Sequence, residues 1–278
     1  MRKAIFITGG GSGIGRAVAQ LFAARGWFVG LADISETGMA DTAALLPRGQ
    51  SHSQRLDVRE RDAWDAALAG FAEAAGGRID VVVNNAGVGV GGLLDELCQD
   101  EIDALIDINF RGMVYGAQAA YPYLKASAPG SALVNTSSAA GIYGIGGLAL
   151  YSATKFAVRG LTEALDIEWS TDRIKVRSLM PGSVDTPILD GPNNRNSNLS
   201  RRESTIRAGF EFVPVEAVAE AAWRAVHAGK GVHHRVGSSA QQLAFGARWA
   251  PGALRRRLVK LLEATGVRRN REPPSARS

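Results

Sequence analysis

The sequence predicts an α/β domain: a doubly wound, mostly parallel sheet of seven strands with helices on both faces. Three observations predict it. Apolar runs rich in β-branched residues alternate with helix-period segments, the runs are apolar throughout, and glycines (33 of 278 residues) punctuate the joints. A strand covered by helices on both faces has no polar face, which is what IFI at 5–7 and VVV at 81–83 show.

The first strand is KAIFIT, residues 3–8, and it runs directly into Thr8-Gly9-Gly10-Gly11-Ser12-Gly13-Ile14-Gly15 and the helical stretch RAVAQLFAARG. Glycines at a helix N-terminus let the backbone approach a pyrophosphate, so Gly9, Ser12, Gly13, Ile14 and Gly15 are cofactor candidates and the fold is Rossmann-like. The spacing alone is equally that of a tight strand-to-helix turn; its place between a strand and a helix favours the phosphate. Arg16 is expected on the exposed side of the helix. The second strand, WFVGLAD, ends at Asp33, where a carboxylate accepts hydrogen bonds from the adenine-ribose hydroxyls and repels a 2′-phosphate. Neither Ser12 nor Ile34 is basic, so NAD is expected over NADP. The other reading of Asp33 is a turn residue or helix cap.

SQRLD and IDVVVNN are the third and fourth strands. In the apolar-periodic run 93–108, Cys98 is expected on a packing helix face; as the single cysteine it forms no intramolecular disulfide. The fifth strand, ALVNTSS, ends at Ser138, and thirteen residues later Tyr151-Ser152-Ala153-Thr154-Lys155 opens a helical run. Four residues of separation put phenol and ammonium on one helix face. A free phenol titrates near pH ~10, so acid/base work near neutrality needs a neighbouring cation, which Lys155 supplies. A strand-end serine hydroxyl orients a substrate oxygen and stabilises charge on it. Ser137 competes with Ser138 for this role, and a lone Tyr/Lys pair at this spacing also occurs on helix surfaces. IKVRSLMPG and a weaker HHRVG complete the strands, and the polar segment 190–202 is placed as a mobile substrate lid. His52, His227, His233 and His234 have no zinc-ligand spacing, and adjacent His233 and His234 point to opposite faces of a strand, so no metal is expected.

In order and spacing, residues 3 to about 186 resemble the short-chain dehydrogenase/reductase family, the single-domain branch with TGxxxGxG and YxxxK motifs. The resemblance implies that Asn109 in INFRG is the catalytic asparagine, supporting a water-linked proton relay, with Ser138, Tyr151 and Lys155 the catalytic serine, tyrosine and lysine. Its serine-to-tyrosine spacing favours Ser138 over Ser137. Lys155 then also holds the nicotinamide ribose beside Tyr151. Asp57 and Val58 resemble the adenine-contacting pair, Asn84-Asn85-Ala86-Gly87 the turn after the fourth strand, and Pro181, Gly182, Val184 and Thr186 the nicotinamide-side loop. Read without it, Asn84-Asn85 and Pro181-Gly182 are plain turns. The implied activity is NAD-dependent interconversion of a secondary alcohol and a ketone. The implied assembly is a homotetramer or homodimer, built partly through the helix that begins near Tyr151 and carries Phe156, Leu161, Leu165 and Trp169. Substrate-facing positions are expected in 87–94, 141–148 and 188–212, whose apolar members suggest a lipophilic alcohol: a steroid, an aryl alkanol or a hydroxyacyl group. A non-catalytic NAD-binding sensor or scaffold is the alternative; all four catalytic positions being filled argues against it.

The net charge of +5 is asymmetric. Residues 238–278 hold nine Arg/Lys against two Glu, a +7 segment on a body of −2. That body offers no nucleic-acid surface. No run of ~18 apolar residues is present to span a bilayer, and the opening MRKAIFITGG lacks a signal-peptide core, so a cytoplasmic enzyme is expected. The expected division is a catalytic domain over 1–237 and a basic extension over 238–278. There Leu254, Leu258, Leu261 and Leu262 form one face of an amphipathic helix, with Arg255, Arg256, Arg257 and Lys260 partly opposite. Three uses stay open: packing over the substrate site or a neighbouring subunit, contact with an anionic membrane, or plain solvation. The terminal PPSARS reads as disordered.

Overall fold

A computed structural model describes residues 2–190, 199–207, 209–228 and 230–264. The proposed lid lies partly, and PPSARS wholly, outside the described residues. The strands are β1 (Ala4–Thr8), β2 (Phe28–Asp33), β3 (Ser51–Arg55), β4 (Val81–Asn84), β5 (Ala132–Thr136), β6 (Lys175–Pro181) and β7 (His233–Val236). They form one sheet in the order β3-β2-β1-β4-β5-β6-β7, and every neighbouring pair is parallel. The strand order reverses between β1 and β4, and the crevice beyond the carboxyl ends there is where open α/β sheets bind ligands.

The helices are α1 (Gly13–Ala24), α2 (Glu36–Ala44), α3 (Arg61–Ala74), α4 (Gln99–Ile106), α5 (Gly112–Ala126), α6 (Ala149–Glu168), α7 (Arg201–Arg207), α8 (Val215–His227), α9 (Ser238–Trp249) and α10 (Pro251–Ala264). Alternation along β1 divides the core. Ile5 and Ile7 pack with Phe22 of α1 and Val218 and Ala222 of α8. Phe6 faces the other way, onto Trp64, Leu68 and Phe71 of α3 and Leu124 of α5. Each such side chain is wholly or almost wholly buried, worth about 1.5–3 kcal/mol apiece.

The third strand begins two residues before the expected SQRLD and stops at Arg55. It is an edge strand, and pairing with β2, from Val29↔Ser51 to Asp33↔Arg55, sets its extent more than hydrophobicity does. Cys98 is not on a helix face. It is the N-cap of α4, following a 3₁₀ turn at Leu94–Glu96, and its extended backbone (φ −86, ψ 166) breaks the expected continuous helix. Its N–H donates to the Glu101 carboxylate at 2.9 Å, a capping contact that hydrophobic periodicity does not reveal.

Leu165 of α6 and Trp169, its C-cap residue, pack into the core near Tyr121, so they are not spare apolar surface. Phe156 (40% exposed) and Ile167 (75%) are. The single amphipathic helix expected in the basic extension is two, because the residue before Pro251 is pushed out of helical geometry (Ala250 φ −144, ψ 53). Leu254 is buried beside Ala139, Ala240 and Leu243 with Leu258 against the same cluster, while Arg255, Arg256, Arg257 and Lys260 face solvent. Among the described residues no helix is long and apolar enough to cross a membrane.

Candidate active site

At the carboxyl end of β1 the chain must turn sharply into α1. Gly9 (φ 66) and Gly13 (φ 49) adopt left-handed backbone, and a Cβ at Gly15 would stand 2.1 Å from the Gly9 carbonyl oxygen. Gly15 therefore packs helix against turn and does not line the crevice. Arg16 departs from its expected exposed position: its Nη2 donates to Gly11 O at 2.5 Å and its Nε to Thr42 Oγ1 at 3.0 Å. A glycine turn leaves carbonyls without a ladder partner, and the guanidinium satisfies one. Asp33 accepts the Gly11 N–H on Oδ2 at 2.9 Å and the Ser35 N–H on Oδ1 at 3.0 Å. It is thus a turn residue and crevice lining at once. Thr8 Oγ1 accepts the N–H groups of Asn85 and Ala86 at 3.0 and 3.1 Å, which ties the turn after β4 to β1.

Beyond β5, Ser138 Oγ accepts the Ala140 N–H at 3.1 Å at the head of a 3₁₀ turn. Ser137 points inward instead and donates to Lys155 O at 2.9 Å, a local structural bond. Tyr151 and Lys155 lie on one turn of α6, with Nζ 5.6 Å from the phenol ring centre. Lys155 is 4% exposed and donates to Thr136 O at 3.1 Å; burial lowers its pKa to about 8. Enclosure raises the pKa of Tyr151, while a hydrogen bond with Ser138 and the charge of Arg201 pull it back down. Arg201 of α7 thus adds a second cation near the phenol beside Lys155. Asn109 sits in a π-turn, Asp107–Arg111, fully buried. Its Oδ1 accepts the Val88 N–H at 2.8 Å and its Nδ2 donates to Val88 O at 2.9 Å, so it fixes the backbone beside Gly87 and does not face the crevice.

These parts surround one cavity of about 650 Å³. Of the residues singled out from sequence, Gly9, Ser12, Gly13, Ile14, Asp33, Asp57, Val58, Asn85, Ala86, Gly87, Ser138, Tyr151, Lys155, Pro181, Gly182, Val184 and Thr186 line it. A model of the short chain dehydrogenase family matches residues 3–197. The chain belongs to the short-chain dehydrogenase family. As such it is an oxidoreductase. It is 35% identical to a meso-2,3-butanediol dehydrogenase of Serratia marcescens over 68% of this chain and 74% of that enzyme. It is also 35% identical to a trans-4-hydroxycyclohexanecarboxylate dehydrogenase of Sinomonas cyclohexanicum, over 68% of this chain and 75% of that one. The crystal structure of levodione reductase superposes with a TM-score of 0.77 at 27% identity, covering 87% of this chain and 98% of that one. A 3-ketoacyl-(acyl-carrier-protein) reductase from Brucella melitensis complexed with NADH gives 0.74 at 28%, covering 84% and 96%.

For a short-chain dehydrogenase the cavity fits a nicotinamide cofactor on its own features. A side chain at Gly13 would meet Thr186 at 3.0 Å, so glycine keeps the passage between turn and loop open. In the sheet order Asp33 ends β2 and Asp57 follows β3 on one side of the β1–β4 reversal, while Ser138 follows β5 on the other. Among the lining residues that sequence reasoning left out are Leu56, Arg59, Ile108, Ser239 and Leu243. Arg59 pairs with Asp57 at 2.6 Å and lowers its pKa. The signal for it was two residues away in the sequence. Ser239 and Leu243 come from α9, and only tertiary packing brings them here. Among the described residues no group of three or more His, Cys, Asp or Glu could hold a metal ion. His233 instead bonds Ser178 at 2.8 Å and Glu163 at 2.7 Å.

Proposed function

We propose that this dehydrogenase uses NAD to interconvert a secondary alcohol and the corresponding ketone, with Tyr151 as the acid/base. The observation that carries the reading is a single cavity lined by Tyr151 and the buried Lys155 on one turn of α6, by Ser138 and by the acidic Asp33. Both dehydrogenase relatives are named for substrates that carry a hydroxyl on a ring or chain carbon, which supports the same reaction class.

Within that reading the chain's own groups divide the work. Gly9, Ser12, Gly13, Ile14 and Gly15 form the turn that receives the pyrophosphate, Asp33 takes the ribose hydroxyls, and Asp57 and Val58 flank the adenine. Asn85, Ala86, Gly87, Pro181, Gly182, Val184 and Thr186 enclose the nicotinamide half. When bound, the cofactor supplies the hydride acceptor or donor. Ser138 Oγ holds the carbinol oxygen, and the Tyr151 phenolate oxygen takes the alcohol proton in oxidation and returns it in reduction. Lys155 Nζ holds the nicotinamide ribose and favours the phenolate. Asn109 acts through the Val88 backbone and supports the relay.

A panel of secondary alcohols assayed with NAD and NADP tests this. Tyr151→Phe is expected to lower kcat by about 10²–10⁴-fold with NADH binding, read by fluorescence, nearly unchanged; retained turnover sinks the acid/base role. Asp33→Asn keeps an acceptor for the glycine turn but removes the charge. Its NAD preference over NADP should fall by about tenfold or more, the size of a lost charged hydrogen bond, and an unchanged ratio would show that Asp33 does not select the cofactor.

A further inference from the structure

The cavity lining includes the apolar Val88, Ile145, Leu148, Ile188 and Leu243, and α7 adds the guanidinium of Arg201 to it. Its Nη1 donates to the Ile188 carbonyl and lies 3.5 Å from where a Cβ on Gly89 would be. Its Nε is buried and has no hydrogen-bond partner. Ser204, three residues on and therefore on the same face of α7, is 5% exposed, and its Oγ is likewise buried and unpartnered. Ser239 Oγ on α9 is a third orphan in the same lining.

A buried donor without a partner is costly, and a charged one more so. Neighbouring Arg202 shows the contrast: it is neutralised by Asp185 at 2.6 Å and Asp190 at 3.0 Å. Among the described residues no carboxylate pairs with Arg201; of the carboxylates lining the cavity, Asp57 pairs with Arg59 and Asp33 accepts the Gly11 and Ser35 N–H groups. Arg201 lines the same cavity as Tyr151 and Ser138, and its charge pulls the phenol's pKa down.

We infer that Arg201, with Ser204 beside it, is a carboxylate-binding subsite, and that the substrate is a secondary alcohol or ketone that also carries a carboxylate. This rests on the dehydrogenase reading above and names its substrate class. The guanidinium fork matches a carboxylate and a point cation does not, so arginine is the residue suited to the role. A bound carboxylate satisfies Nε and orients the rest of the molecule so that its carbinol carbon meets Tyr151 and Ser138. The apolar lining then covers the carbon chain between the two polar ends.

The test has a binding arm and a turnover arm. NADH-loaded protein is titrated with hexanoate and with hexanamide, following cofactor fluorescence, in wild type, Arg201→Met and Arg201→Lys. Wild type should bind hexanoate about 30-fold tighter than hexanamide, the scale of a desolvated charge pair. Arg201→Met should erase that preference with little change for hexanamide, and Arg201→Lys should keep part of it. Equal affinities in wild type, or equal losses for both ligands in Arg201→Met, overturn the subsite. Turnover of 5-hydroxyhexanoate against 2-hexanol separates this from the parent reading. Oxidation of 2-hexanol with no preference for the acid leaves the dehydrogenase standing and removes the subsite; Arg201-dependent hexanoate binding with neither alcohol oxidised does the reverse.

Discussion

At Lys155 two demands meet. The ammonium is 4% exposed, and burial takes its pKa from an ordinary 10.5 to about 8. Below pH ~8 the group is charged in both folded and unfolded chains, and the folded state bears the full desolvation cost; as pH rises from there toward the unfolded value the cost disappears. Lys155→Met should therefore stabilise the cofactor-free protein at neutral pH, by roughly 1–3 kcal/mol on the scale of ~1.4 kcal/mol per pKa unit. Urea unfolding across pH should show that advantage shrinking between about 8 and 10.5. A pH-independent difference would mean that burial does not depress this lysine. The variant would be more stable and less active, which identifies Lys155 as a residue held for chemistry at the expense of stability. The same scale shows what a motif hides. YxxxK places two side chains on one helix face, but it does not say that a second cation, Arg201, lines the same cavity from fifty residues further on.

Among the elements, α10 is the one whose use the sequence left open. Its leucines turn inward: Leu254 is 8% exposed against Ala139 and Leu243, and Leu262 reaches the loop at Gly146, where a Cβ would stand 3.1 Å from its Cδ2. Both Leu243 and Gly146 line the cavity, so the extension buttresses the substrate wall from behind. Ending the chain after Ala250 removes that support. The expected outcome is a rise of about tenfold or more in KM for the alcohol, the equivalent of ~1.4 kcal/mol, with cofactor affinity little changed. Unaltered kinetics would show that α10 is only a solvated appendage. The expected use of α6 in an oligomer now rests on Phe156, Leu161 and Ile167, because Leu165 and Trp169 belong to the core.

For the whole molecule, the sheet transmits packing to the site. Phe22 of α1 is fully buried between Trp27 and Trp223, with ring centres at 5.2 and 5.0 Å, and it anchors the helix whose N-terminus forms the glycine turn. Phe22→Ala should cost about 3–5 kcal/mol of stability, visible as a lower urea midpoint. Saturating cofactor should recover part of it, because a ligand that binds only the folded state stabilises by mass action. A loss under 1 kcal/mol, on the scale of a surface change, would mean that the two tryptophans close over the space.

The sequence by itself determined the parallel sheet, the position of every strand to within two or three residues, the glycine turn and the Ser138–Tyr151–Lys155 spacing. These are properties of local pattern: burial on both faces removes polar alternation, and a turn or helix face is set by residues a few positions apart. Tertiary structure alone decided the rest. Arg16 turns inward because carbonyls in the glycine turn lack partners, Cys98 caps because Glu101 reaches back, and Asn109 is saturated by Val88 across the π-turn. Ser239 and Leu243 reach the cavity from α9, an element with no sequence motif, and within the expected substrate segment 188–212 it is the fold that selects Arg201 and Ser204. Hydrogen-bond partners and cavity linings depend on distances between segments far apart in the chain, and one chain's composition and periodicity carry no record of those distances.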